Sequence, residues 1–225
     1  VKKIHIIAIV AVVLVADQAL KYFIKTRYLL GEEHMVLGNW FRLHFVENDG
    51  MAWGWKLGDS GSWGKILLTV FRLVAVVVGV YYINKLIKDK QHPGFLVCAA
   101  LIFAGAVGNL IDSLFYGMLF SSSDNGSLAV VMPEGGGYAG FLHGKVVDML
   151  YFPIIDTTWP SWVPVWGGKS FEFFSPVFNI ADASISVGLI IILLFQKRFF
   201  KQAAPSATHP TVETNVHAGD DVQIS

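Results

Sequence analysis

Four long apolar runs dominate the chain, at about 4–24, 64–87, 94–119 and 176–196. Each holds roughly 20 residues or more, the length an α-helix needs to cross a hydrocarbon core of about 30 Å. Four transmembrane helices are therefore predicted. The last run is predicted to begin at Ser175-Pro176, with serine as N-cap and proline in the first helical position. Between the first two runs, Phe41-Arg42-Leu43-His44-Phe45-Val46 alternates in polarity and reads as a strand. Glu47-Asn48-Asp49-Gly50 is a turn signal, and Met51–Trp55 is expected to return as a second strand. The stretch 121–140, rich in Ser, Gly and Asn, reads as loop, and 153–174, mixing Pro, Trp and Phe, as an interfacial segment that does not span. The fold class expected is a membrane all-α core with a small outer-face β-sheet and interfacial loops. Residues 1–201 form one four-helix domain and 202–225 a polar, disordered cytoplasmic tail.

Composition agrees with the pattern. Of 225 residues 54% are hydrophobic and only 15% charged, and the mean hydropathy is +0.53, values of an integral membrane protein. The net charge of zero gives no sign of a nucleic-acid partner. A lone cysteine, Cys98, excludes an intrachain disulfide and reads as a small core residue. The amino-terminal run continues into Asp17 and Lys21 without a small-x-small cleavage site and reads as a retained helix. Basic residues decide the orientation. Lys2, Lys3, Lys85, Lys88, Lys90, Lys197, Arg198 and Lys201 fall on one side of four spans, so that side and both termini are expected to be cytoplasmic. All seven tryptophans lie in the two opposite connections, which are expected to rest on the outer leaflet.

Ionisable residues at membrane depth are functional by default, because burying them there costs several kcal/mol unless they are paired or hydrated. Six cluster in the outer half: Asp17, Lys21, Arg72, Asp112, Asp148 and Asp182. Asp17 and Lys21 stand at i,i+4 in the favourable order and are expected to neutralise each other, in a structural role or in binding a head group. Ala100, Ala104, Gly108 and Asp112 line one face of the third helix, a small-residue stripe suited to close helix contact. Arg72 reads either as a side chain snorkelling to the headgroups or as a buried counter-charge for one of the acids. Asp182 is expected about two turns into the last helix. Asp148 and Asp182 have no basic neighbour within helical reach, Lys145 lying on the exposed side of its loop. Two carboxyls sharing a low-dielectric site share a proton, and such a pair can activate water against an amide carbonyl. Translocation of ions or protons by buried acids fits the spacing as well. The histidines lie in connections, in the tail or at the inner end, and there is no HExxH motif or His/Cys cluster, so neither a Ser-His arrangement nor a metal site is indicated.

Five short motifs occur in order: Asp17-Gln18-Ala19-Leu20-Lys21, Asn48-Asp49-Gly50-Met51-Ala52-Trp53, Gly105-Ala106-Val107-Gly108-Asn109-Leu110-Ile111-Asp112, Val146-Val147-Asp148 and Phe178-Asn179-Ile180-Ala181-Asp182. Together they resemble the bacterial lipoprotein signal peptidases (signal peptidase II), intramembrane aspartyl proteases, over about 4–120 and 144–198. The resemblance implies that Asp148 and Asp182 are the catalytic pair. By it Asn48 and Gly50 lie near the substrate, Asn109, Asp112 and Asn179 supply polar contacts, and Asp17 and Lys21 support the site from the first helix. It implies no cofactor or metal. The implied partners are membrane lipids and a prolipoprotein whose lipobox cysteine carries diacylglycerol, cleaved just before that cysteine in the bacterial inner membrane with the site toward the outer face. Oligomeric state stays open. The chain departs from the family pattern at Ala104, where glycine is usual, and at Ser113, where arginine is usual; Arg72 is the expected substitute for that charge. The connections 120–143 and 153–175 are longer than the family needs, and 153–175 reads as a flap over the substrate or a docking surface for another protein. The alternatives to peptidase activity are a small proton-coupled transporter and a non-catalytic membrane scaffold.

Overall fold

The computed structural model describes residues 2–49, 62–124, 126–153, 155–173 and 176–200. Four helices long and apolar enough to span a membrane appear where the apolar runs predict them: α1 (Lys3–Arg27), α2 (Ser62–Lys88), α3 (Pro93–Leu119) and α4 (Ile180–Phe199). Helix α3 is the central one. Within its most apolar stretch 44% is buried inside the protein, against 6% for α2, whose Phe71, Val77 and Tyr81 face outward as lipid contacts would. Its start follows local rules, with Pro93 in the first turn and the His92 ring accepting a hydrogen bond from the Gly94 amide at 3.1 Å.

The predicted small-residue stripe faces both α1 and α4, Gly108 lying against Asp17 and Ala181, while Gly105 beside it packs α3 against α4. A methyl group at Gly105 would collide with the Ala181 carbonyl and come within 2.7 Å of the Ser184 hydroxyl. From the other side, one at Gly188 would meet the Cys98 carbonyl at 2.9 Å. Near its end α3 widens into a single π-helical turn, Asp112–Tyr116. Such a turn frees backbone groups from the regular ladder. The following chain satisfies one of them, the Gly144 amide donating to the Ser113 carbonyl at 3.0 Å. A side chain at 144 would overlap the Asp112 carbonyl, so only glycine lets the chain pass this close.

That chain then enters a four-stranded antiparallel sheet of order β1-β2-β3-β6, with β1 at Glu33–Leu37, β2 at Phe41–Asn48, β3 at Val146–Tyr151 and β6 at Val177–Phe178. Val46 pairs with Asp148, and Tyr151 with Val177. Ile24, Phe45, Tyr116, Phe120, Val147 and Met149 form the core that fastens the sheet to the ends of α1 and α3.

Several expectations are revised. The last helix begins at Ile180 instead of Pro176, and its N-cap is Asn179 instead of Ser175, which lies outside the described residues. The reason is tertiary: Val177 and Phe178 are held extended by pairing with β3. Asp182 therefore stands in the first turn of α4, not two turns along it. The partners of β2 are β1 and β3, while the return strand expected at Met51–Trp55 falls outside the described residues, as do Gly50 and the tail 202–225. The segment expected to be merely interfacial contains a second sheet, the hairpin β4 (Ile155–Thr158) with β5 (Ser170–Phe173).

Candidate active site

Each polar residue of the site arrives from a different element. Asp148 sits mid-strand in β3 and is only 3% exposed. One of its oxygens accepts a hydrogen bond from the Asn179 amide at 2.7 Å, the other from the Asn48 amide at 3.3 Å. Asn179 is also the cap of α4, its side-chain oxygen accepting from the Asp182 backbone amide at 2.8 Å. The same Asn179 nitrogen lies 3.1 Å from the Asn109 side-chain oxygen. Asn109 in turn donates to the Asp182 carboxylate at 2.7 Å. Asp148 and Asp182, remote in sequence, are thus joined through two amides that donate to both carboxyls.

Beneath this layer lies a second one. The Lys21 ammonium is fully buried and bonds Asp17 at 2.9 Å, Asp112 at 2.8 Å and the Asn109 oxygen at 3.0 Å. The expected self-neutralising Asp17–Lys21 pair is therefore half of a larger group: an i,i+4 rule sees Asp17 and cannot see Asp112, which α3 supplies. Asp17 also accepts from the Ala181 amide at 2.9 Å, in the first turn of α4, where the helix dipole favours negative charge. Asp112 accepts from Gln18 at 2.9 Å and from the Val147 amide at 3.3 Å. Gln18 accepts from the Tyr116 hydroxyl at 3.1 Å. Two ions of like sign are held in a dry interior because one ammonium and several donors serve both.

Arg72 projects from α2 into the same region. It donates to the Ser113 hydroxyl at 2.9 Å, and its charge acts most strongly on Asp182, then on Asp112 and Asp148. Of the expected site residues, Asp17, Lys21, Asn48, Asn109, Asp112, Asp148, Asn179 and Asp182 come together as one hydrogen-bonded cluster with Arg72 at its side. Gly50 lies outside the described residues.

Burial, reinforced by the neighbouring Asp182 charge, pushes the Asp148 carboxyl up to about 7, while the Asn48 and Asn179 donors pull the other way. At neutral pH Asp148 is poised to hold a proton. Lys145 is not on an exposed side of its loop as expected. It is half-buried, bonding Glu47 and Asp124 at 3.3 Å each, and these anions hold its ammonium above the usual range.

Sequence reasoning missed two participants, and one role of a residue it did name. Gln18 joins Asp112 to Tyr116, and its place inside the first motif was the available signal. Glu47, beside Asn48, ties β2 to the buried Lys25 of α1. The capping role of Asn179 was legible in Asn179-x-x-Asp182, a favoured N-cap residue followed three positions later by an acid. A groove of about 410 Å³ bordered by Lys3, Ile7, Val80 and Phe103 lies toward the far end of the helices and takes no part in this cluster.

The chain as a whole is similar to known proteins. A family model described as signal peptidase (SPase) II matches residues 9–198. A lipoprotein signal peptidase of Porphyromonas gingivalis is 48% identical over 192 residues, covering 85% of this chain and 82% of the relative. One from Amoebophilus asiaticus is 35% identical over 203 residues, covering 89% of this chain and 80% of the relative. A solved structure described as a bacterial membrane enzyme determined by the in meso method at 2.3 Å is 25% identical, with a TM-score of 0.56 over 88% of this chain and 92% of that one.

Proposed function

Since the chain belongs to the signal peptidase II family, we propose that Asp148 and Asp182 are the catalytic pair with which this protease removes signal peptides from prolipoproteins. The enzyme is an integral protein of the bacterial inner membrane. The observation that carries the reading is the amide-bridged pair itself, Asp148–Asn179–Asn109–Asp182.

The pair shares one proton, kept by Asp148. Asp182 takes a proton from a water molecule as its oxygen attacks the carbonyl carbon of the scissile peptide bond. Asp148 donates its proton in a hydrogen bond to the carbonyl oxygen, which carries the developing charge. Collapse of the tetrahedral intermediate breaks the C–N bond, and the proton gained by Asp182 passes to the leaving nitrogen. Asn109 and Asn179 hold the carboxyls at fixed spacing, so little reorganisation is needed at the moment of attack. Asn48 holds the second Asp148 oxygen, and Lys21 with Asp17 and Asp112 forms the charged floor on which these amides rest.

Arg72 supplies the positive charge that Ser113 does not, reaching the same point from α2. Of the three acids, Asp182 is the one its charge acts on most. The basic residues Lys2, Lys3, Lys85, Lys88 and Lys197 favour cytoplasmic termini, which puts the pair toward the outer face. At that depth a diacylglyceryl chain on the lipobox cysteine stays in the bilayer while the peptide bond before it meets the acids.

The test is cleavage of a diacylglyceryl-modified lipobox peptide in detergent by wild type, Asp148→Asn and Asp182→Asn, with EDTA added to a parallel wild-type sample. Cleavage just before the lipidated cysteine, absent from both folded variants and indifferent to EDTA, is expected. Cleavage that survives either substitution would refute the pair. None by folded wild type would favour proton translocation by the same acids.

A further inference from the structure

The β4–β5 hairpin leaves the sheet after Tyr151 and returns to it at Val177, three residues before α4 begins. Its root is thus tied to the end of a membrane span. Four-residue strands at about 3.3 Å per residue carry the tip roughly 13 Å from that root.

The tip is ordered by its own backbone. The Trp159 amide donates to the Lys169 carbonyl, the Gly168 amide to the Trp159 carbonyl and the Gly167 amide to the Val163 carbonyl, each at 2.9 Å. Trp159 and Trp166 stack with ring centroids 6.0 Å apart. What this well-bonded loop presents outward is apolar: Trp162 and Val165 are each 80% exposed and Trp166 55%. No charged residue occurs from Thr157 to Gly168, and the first one after the tip is the exposed Lys169. A core would have absorbed these side chains, and a loop meant for water would not carry them.

We propose that this tip is a membrane-surface anchor, Trp162, Val165 and Trp166 entering the headgroup–acyl boundary while Lys169 meets the anionic headgroups. The apolar tip bordered by one cation matches that boundary in chemistry, since tryptophan favours the interface and lysine the phosphate level. Continuity decides the partner: the arm grows from a strand that runs directly into a span, so a bilayer is already at its root. A second reading of the same surface, docking of another protein, is an outcome of the test.

A nitroxide on Trp162→Cys, in full-length protein carrying Cys98→Ala, reports the depth of the tip in vesicles of phosphatidylethanolamine and phosphatidylglycerol. Collision with oxygen and with a neutral nickel chelate is compared with a label at Glu134→Cys, an exposed position in the 133–136 turn. The oxygen-to-nickel ratio at the tip is expected to exceed that of the reference severalfold, since oxygen partitions into the acyl region and the polar chelate is kept out of it. Adding Lys169→Glu is expected to move the label toward water. A ratio equal to the reference would overturn the anchor, and shielding from both reagents would replace the bilayer with a protein partner. The measurement needs no cleavage, so its outcome is separate from that of the peptidase assay.

Discussion

Replacing Asp148 by asparagine is expected to abolish cleavage and, above neutral pH, to make the folded protein more stable. The carboxyl moves from an ordinary value of 3.8 to about 7 on folding. A raised acid binds its proton more tightly in the folded state, so its contribution is fully present at low pH and is lost as the pH rises from about 4 through about 7. About three units at about 1.4 kcal/mol each amount to roughly 4 kcal/mol held against the folded enzyme at pH 8. Asparagine removes that charge. Its oxygen keeps the bond from Asn179, but its amide then faces the Asn48 amide, donor against donor, which costs about 1 kcal/mol. The net gain is about 3 kcal/mol. For a chain of this length, where 1 kcal/mol moves Tm by about 2–4 °C, that corresponds to about 6–12 °C at pH 8. At pH 5, where the wild-type carboxyl is protonated, the gap closes. Tryptophan-detected thermal unfolding in detergent at pH 5, 6.5 and 8 measures it. A difference between the two proteins that is the same at pH 5 and pH 8 would refute the reasoning.

Two further substitutions separate roles that lie close together. Arg72→Met is expected to lower kcat about 100-fold, with Arg72→Lys recovering part of it, because the charge acts on Asp182 as the reaction proceeds; cleavage by folded Arg72→Met at the wild-type rate would remove Arg72 from the site. Asn179→Ser keeps a side-chain oxygen able to cap α4 but loses the amide that donates to Asp148, so Tm is expected to stay within a few degrees while cleavage falls steeply, whereas Asn179→Ala loses about 1 kcal/mol of capping as well. Equal unfolding temperatures for the serine and alanine variants would show that the cap contributes little.

The spans were legible because length and apolarity act locally, and so was a contact face of α3, where Ala100, Ala104 and Gly108 recur on a helical period. The start of α4 was not. Ser175-Pro176 satisfies every local rule for a helix start, yet Val177 and Phe178 have a better use for their backbone in pairing with β3. The same limit hid the partner of Lys21: periodicity ties it to Asp17, and only the packing of α1 on α3 adds Asp112. The hairpin at 155–173 escaped because Pro, Trp and Gly obscure its alternation. Asp148 and Asp182 were nameable from their sequence surroundings, whereas the two asparagines joining them became a bridge only in three dimensions.

The pairing of Tyr151 with Val177 closes the sheet around everything spliced between them. Strand partners stand about 5 Å apart, a gap that a two-residue turn can close. The spacing of Asp148 and Asp182 is therefore independent of the insert, and the locus behaves as a socket: arms of different length and chemistry can be exchanged there while the two aspartates stay in register. A lineage can retune how its enzyme meets its surroundings without renegotiating the chemistry, and a protein engineer can do the same by swapping one arm for another.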